Sequence, residues 1–456
     1  MKEAPFQTEH IGEALARLLL APRYGERPFV GGGASYAEVW RLAAGLRQRL
    51  GRRRPGQPGL CLAVEDKRAV AAALLASLAG GPPLVLPYAF SAQGLAQLQE
   101  RCGYTMALVD GERPLPPGVT RLHLGDVAME GLLPGDGIGA DEELLRIFTG
   151  GSTGTPQVWS KTAANLFTEG FFLARHFAIS RDDVILATIP PYHIYGLLYA
   201  VIMVLVAGAT VIADSPSFPG EIVDCARRNR ATVLAAVPAH YRVLRDKTLD
   251  LRLAFSSAGM LDPEDAVEFA RHNPGGIVEV YGSTETGGIA TRVRARGEEN
   301  FTPFSLIRWK TDQGRLAVAS PYLSPELVVD EEGFFTTGDR IAADACGGFA
   351  LQGRVDAITK VGGKRVDLGE IGRLLKEDPA VSDCFVLALP EASGREHRIC
   401  ALVEGEGVDC PALLRALGLS LEPYALPRLL RHVAKIPMTA SGKYDRAAII
   451  ALLEGP

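Results

Sequence analysis

A chain of 456 residues exceeds one ordinary domain and predicts two or three, with 47% apolar and 22% charged residues to build their cores and surfaces. The net charge of −5 comes without a dense basic block, Arg52-Arg53-Arg54 being the strongest cluster, so a nucleic-acid partner is excluded on electrostatic grounds. Seven cysteines stand singly between Cys61 and Cys410 with no C-x-x-C pair, which excludes a disulfide scaffold or zinc site and points to a reducing compartment.

The opening "MKEAPFQTEH" lacks the apolar core of a signal peptide, so a cytoplasmic protein is expected. "LCLAV" (Leu60–Val64) reads as a buried strand, followed by an alanine-rich helix from about Lys67 and a strand "LVL" at Leu84–Leu86. "MALVD" ends another near Asp110. The stretch from Ile194 to Ala213 is uncharged for about twenty residues, long enough to span a bilayer. Gly208-Ala209-Thr210 divides it, however, and a buried helix followed by the buried strand "TVIA" is expected, without membrane insertion. "DVILATI", "TVLAAV", "RLAFSS" and "IVEVY" complete the strand-like runs, separated by helical patterns over 220–230 and 262–272. Continuous apolar strands with helical crossovers predict an α/β fold whose large N-terminal domain holds parallel-rich sheets covered by helices.

After Asp339 the texture changes. "GGFALQGRVDAITKVGGKRVD" carries glycines, charges and short strands; "DCFVLALP" and "RICALVEG" follow, with a helix between Cys410 and Leu417. This predicts a small C-terminal α+β domain of about a hundred residues. The boundary is placed near Arg354–Asp356, giving domains 1–354 and 355–456.

"FTGGSTGTPQ", Phe148 to Gln157, is the first stretch with chemistry in it. Its G-x-S-x-G run fits the nucleophile elbow of an α/β-hydrolase, with Ser152 attacking. The same glycines free backbone N–H groups to converge on a phosphate, with Thr149, Ser152 and Thr153 adding hydroxyls between Gly151 and Gly154. No Gly-Lys-Ser/Thr follows, so this is not a Walker loop. An elbow needs a helix directly after its serine, whereas Pro156 disfavours helical geometry at Thr155 and "QVWSKT" reads as strand. A plain turn is the third possibility. Further along, "VYGSTETGG" sets Glu285 in a loop after an apolar strand, where open α/β sheets bind ligands. "FFTTGDR" carries Asp339, "LQGRVDAITKVGGKRVDLGEI" carries Arg354, and "KIPMTASGKYDR" carries Lys443. Each alone reads equally well as a capping acid, a surface ion pair or a solvated lysine.

In this order, from about Gly25 to Arg446, these stretches resemble the adenylate-forming superfamily of acyl-CoA synthetases, aryl-acid ligases, peptide-synthetase adenylation domains and luciferases. "PPYHIYG" (Pro190–Gly196) resembles the family's segment beside the acyl pocket. The resemblance implies an enzyme that joins a carboxylic acid to ATP, releases pyrophosphate, and passes the acyl group to a thiol with release of AMP. It implies ATP and Mg²⁺ as cofactors, and CoA or a carrier-protein phosphopantetheine as acceptor. A small mobile C-terminal lid is implied as well. By resemblance, Ser152 is a phosphate-loop donor and not a nucleophile. Lys443 would bridge carboxylate and α-phosphate, Glu285 would bind Mg²⁺, and Thr284 would sit at the α-phosphate. Asp339 would accept the ribose hydroxyls, and Arg354 would lie near ribose and phosphates. Tyr281 would stack on adenine, with Gly282 beside it. His193 would lie against the acyl group, a satisfied core histidine being the alternative. Asp356 matches the family's hinge and Gly363 the glycine lining its thiol tunnel. A catalytically silent nucleotide-binding protein that retains the fold is the remaining alternative, and the presence of Glu285, Asp339 and Lys443 together argues against it.

The chain departs from the family pattern in two ways. Gln157 stands where the family has a lysine; the next cation, Lys161, lies about 13 Å on along an extended strand, so an outward-facing or structural lysine is expected there. The compact segment from Thr286 to Asp339 trims a region that helps build the acyl pocket. The loop sequences look closest to short ligases found beside fatty-acid-type and aryl-polyene synthesis genes, which suggests an aryl or medium acyl acid.

Overall fold

Apolar runs that are buried on both faces must pair and then be covered, and the computed structural model shows both steps. It describes residues 11–20, 22, 24–134, 137–149, 157–354, 358–361, 364–390, 397–439 and 442–455. By its internal contacts the chain divides into one unit of residues 1–308 with 319–334 and another of 309–318 with 335–456.

In the first unit, Leu60–Ala63 pairs in parallel with Leu84–Leu86 on one side and Met106–Val109 on the other. Thr120–His123 and Glu143–Thr149 extend this sheet in parallel, and Gln157–Thr162 closes it as an antiparallel edge. Cys61, Leu62 and Ala63 are completely buried, as a strand with both faces covered requires. The covering helix Lys67–Leu78 starts where Asp66 accepts hydrogen bonds from the Arg68 and Ala69 amides.

The second sheet of this unit has the order Thr302–Pro303, Gly287–Arg292, Val278–Ser283, Leu253–Ser256, Val233–Ala236, Val184–Ala187 and Thr210–Val211. Its strands from 278–283 through to 210–211 run parallel, and the 287–292 strand folds back as a hairpin. Helices Pro219–Asn229 and Pro263–His272 bury Ile222, Phe269 and their neighbours against Leu186 and Leu234. The uncharged stretch forms successive helical turns, Ile194–Leu197, Leu198–Ile202 and Met203–Ala207, the middle one widened to a π-helix. They end at Gly208, and the strand Thr210–Val211 follows, as expected. Among the described residues no helix is long and apolar enough to cross a membrane.

The second unit contains the antiparallel sheet of strands Arg308–Asp312, Arg315–Ala319, Phe335–Ala343 and Phe349–Arg354, apart from the terminal residues Arg308 and Ala319, and a hairpin of Ile358–Val361 with Lys364–Asp367. Its three-stranded sheet, Asp383–Pro390, His397–Glu404 and Leu429–Val433, is apolar on both faces. Ile399, Ala401 and Val403 face a core with Ile371, Leu375 and Leu413, while Cys400 and Leu402 face another with Ile449 and Leu453. The two-residue period of a strand explains this split, and helices Leu368–Lys376, Cys410–Ser420 and Arg446–Glu454 provide the covers.

Candidate active site

Parallel strands deliver their following loops to one edge, so the carboxyl ends of the second sheet collect candidate residues of the first unit. His193 follows Val184–Ala187, and Thr284 and Glu285 follow Val278–Ser283. His193 is half-buried at the start of the helix Ile194–Leu197; its carbonyl accepts from Leu197 N at 2.7 Å and its ring centroid lies 4.7 Å from that of Tyr192. Tyr281 places its ring 5.6 Å from Phe301, centroid to centroid.

The turn carrying Thr284 and Glu285 is tightly built. The hydroxyls of Ser283 and Thr286 lie 2.8 Å apart; Ser283 N donates to Thr286 Oγ1, and Thr286 N donates to Ser283 Oγ. Thr284 is buried and Glu285 half-buried. The backbone carbonyl of Glu285 accepts from Ser324 N at 2.8 Å and from Lys161 Nζ at 3.2 Å. At Glu285 these bonds fall on the backbone carbonyl, and the carboxylate takes no part in them. Gly282 sits at a register shift in the hairpin, where a Cβ would lie 2.3 Å from Gly287 O and 2.9 Å from Gly288 Cα. Gly282→Ala is expected to cost about 1–3 kcal/mol in urea unfolding, as overpacking does. An unchanged midpoint would mean that the hairpin opens freely.

Thr149 ends the strand Glu143–Thr149 and faces Gln157 across the antiparallel pair, its hydroxyl donating to Gln157 O at 3.3 Å. Residues 150–156, including Gly151, Ser152, Thr153 and Gly154, lie outside the described residues, but their flanks are strand on both sides. The strand that resumes at Gln157 agrees with the reading of "QVWSKT" as strand.

Lys161 is structural. It is 1% exposed on the strand Gln157–Thr162 and donates to Tyr322 O at 2.7 Å as well as to Glu285 O. Glu169, 3% exposed on the helix Ala163–His176, accepts from Gly288 N at 2.7 Å. Burial lowers the Lys161 ammonium while Glu169, Glu285 and Glu326 hold it up. Burial likewise raises the Glu169 carboxyl, against the pull of the Gly288 amide and Lys161. Sequence reasoning did not single out Glu169. A signal existed, since it shares a helical face with Leu166 and Leu173, where an apolar residue belongs. Ala258, after Leu253–Ser256, was also missed; its φ of 71° puts a non-glycine residue in the left-handed region beside Ser257, whose hydroxyl donates to Val280 O at 2.9 Å.

The remaining candidates belong to the second unit. Asp339 and Arg354 are register partners in adjacent strands, with Arg354 Nη1 3.3 Å from Asp339 Oδ1. Lys443 is exposed on a turn pinned through its backbone: Thr439 N donates to Lys443 O at 2.7 Å and Lys443 N donates to Thr439 Oγ1 at 3.2 Å. The next residue, Tyr444, donates its hydroxyl to the buried Asp383 carboxylate at 2.9 Å. Asp356 and Gly363 lie outside the described residues. Among the described residues no three His, Cys, Asp or Glu side chains gather to hold a metal.

Residues 23–317 match the AMP-binding enzyme family. A sulfoacetate–CoA ligase of Cupriavidus necator is 27% identical over 341 residues, 68% of this chain and 67% of that protein. A probable 2-succinylbenzoate–CoA ligase of Mycobacterium tuberculosis is 28% identical over 69% of this chain and 86% of that one. Among solved structures, ATP-bound MatB from Rhodopseudomonas palustris superposes with a TM-score of 0.79 at 21% identity, covering 97% of this chain and 98% of that one. MenE from Bacillus subtilis with the acyl-adenylate OSB-AMP gives 0.78 at 18% identity, covering 95% and 97%. The structural likenesses speak to the fold, a large N-terminal and a small C-terminal domain, and the family match covers more than half the chain. The chain therefore belongs to the AMP-binding enzyme family, within the adenylate-forming superfamily of AMP-forming acid–thiol ligases.

Proposed function

We propose that this enzyme activates a small aryl or medium acyl carboxylic acid with ATP, forms the acyl-adenylate with release of pyrophosphate, and transfers the acyl group to CoA or a carrier-protein phosphopantetheine, releasing AMP. The observation that carries the reading is the Thr284–Glu285 turn, held by hydrogen bonds to the Glu285 carbonyl at the carboxyl end of Val278–Ser283 in a chain of this family.

The chemistry suits the residues. When a carboxylate attacks the α-phosphate, negative charge gathers at the reacting centre, so the enzyme needs cations and aligned donors rather than a base. Lys443 supplies the mobile cation, and Thr284 lies at the α-phosphate. Magnesium, bound with ATP, would neutralise phosphate charge, with Glu285 as its protein ligand. The loop of Thr149, Gly151, Ser152, Thr153 and Gly154 donates to the phosphates. Tyr281 and Gly282 hold adenine, Asp339 and Arg354 hold the ribose, and His193 lies along the acyl group. A lid of residues 355–456, turning at Asp356 and presenting Gly363 to the thiol, would let one cavity exclude water in each half-reaction.

Carboxylate-dependent ATP–pyrophosphate exchange across a panel of aryl and acyl acids tests this directly. Exchange with at least one aryl or medium acyl acid is expected, and none with any acid would refute the reading. Fluorophosphonate should leave Ser152 unlabelled; labelling there would restore the hydrolase.

A further inference from the structure

We infer that Lys161 and Glu169 brace the Ser283–Gly288 turn, and so act as positioning residues for adenylation. Only the kinetic part of this inference rests on the function proposed above.

The two side chains come from consecutive elements, the strand Gln157–Thr162 and the helix Ala163–His176. Lys161 Nζ holds the carbonyl of Glu285, and Glu169 Oε1 holds the amide of Gly288 at 2.7 Å. One charge therefore grips the middle of the turn and its opposite grips the far end. The glycines at 287 and 288 make the second grip feasible. A Cβ at Gly287 would lie 2.8 Å from Glu169 Oε2 and 2.6 Å from Tyr322 Cβ, and one at Gly288 would lie 3.1 Å from Glu169 Oε1.

The same two elements also hold the 321–326 segment, which lies against the turn. Asn165 Nδ2 donates to Pro321 O at 2.7 Å, Lys161 Nζ donates to Tyr322 O, and Ser160 N donates to Glu326 Oε1 at 3.0 Å. That segment returns a bond, Ser324 N to Glu285 O at 2.8 Å. Burying opposite charges is costly, and apolar side chains of similar volume often serve stability as well or better. What apolar side chains cannot do is hydrogen-bond a carbonyl and an amide of the same turn. Both charges end on that backbone, which is the pattern expected of a device that sets the direction of Thr284 and Glu285.

Hydrogen–deuterium exchange on the full-length protein, read on peptides covering 283–288 and 321–326, tests the brace without any substrate. Lys161→Met is expected to speed exchange there about tenfold or more, while the Leu60–Ala63 strand stays protected. In ATP–pyrophosphate exchange it should lower kcat about 10²-fold, as a misplacement of roughly 1 Å can, and move the KM for ATP by less than about threefold, the signature of a transition-state loss. Because Lys161→Met leaves Glu169 buried alone, the double variant Lys161→Met/Glu169→Gln removes both charges at near-constant volume. It should fold and still show loosened peptides with lowered kcat. Wild-type protection of both peptides in the double variant overturns the brace. Loosened peptides with wild-type kcat overturn the positioning role. A wild-type enzyme inert with every acid counts against the proposed function, while the peptide exchange still decides the brace.

Discussion

Lys443→Ala is expected to lower acyl-adenylate formation about 10²–10³-fold, the usual cost of a lost partner for transition-state charge, while transfer to thiol from synthetic acyl-adenylate is much less affected. The fold gives a reason to expect a clean split. Lys443 is exposed, and its turn is fastened through backbone bonds with Thr439 and through the Tyr444–Asp383 contact, none of which uses the lysine ammonium. Alanine thus deletes the charge and keeps those bonds of the turn. Rapid-quench assays of the separate half-reactions give the answer. Equal losses in both would mean that Lys443 serves the thiol step too, and alternation of the small domain would lose its support.

Glu285→Gln should keep the fold and lower kcat/KM for ATP by on the order of 10²-fold, with the Mg²⁺ requirement moved to higher concentration. Mg²⁺ is held by hard, charged oxygens, and an amide of the same shape lacks the charge. The structural bonds at this residue run through its carbonyl, to Ser324 and Lys161, so the substitution leaves them intact. Titration of activity against Mg²⁺ at saturating acid measures the effect. Wild-type kinetics and Mg²⁺ dependence in this variant would remove Glu285 from the metal role.

Much of the fold was legible because its cause is local. Leu60–Ala63, Leu84–Leu86 and Met106–Val109 announce themselves as apolar runs, and Asp66 and Asp262 cap helices where the pattern places them. The uncharged stretch before Asp214 was legible for the same reason, since Gly208 stops a helix whatever surrounds it. The candidate residues were legible as motifs, whose spacing survives in one dimension. Their neighbours were not. That Arg354 lies across from Asp339, fifteen positions earlier, depends on strand register, which the intervening residues could have set either way.

The sequence by itself determined the class of fold, because hydrophobic period acts over a few residues, and the family, through motifs that stand in a fixed order along the chain. The role of Lys161 was decided by tertiary structure alone. In its own strand a lysine reads as a solvent-facing charge, and only the carbonyls of Glu285 and Tyr322, 124 and 161 residues further on, turn it inward. Glu169 likewise occupies an apolar helical face because Gly288, 119 residues away, brings it an amide. A buried charge is tolerable only when its partners are in place, and those partners exist only after the chain has folded.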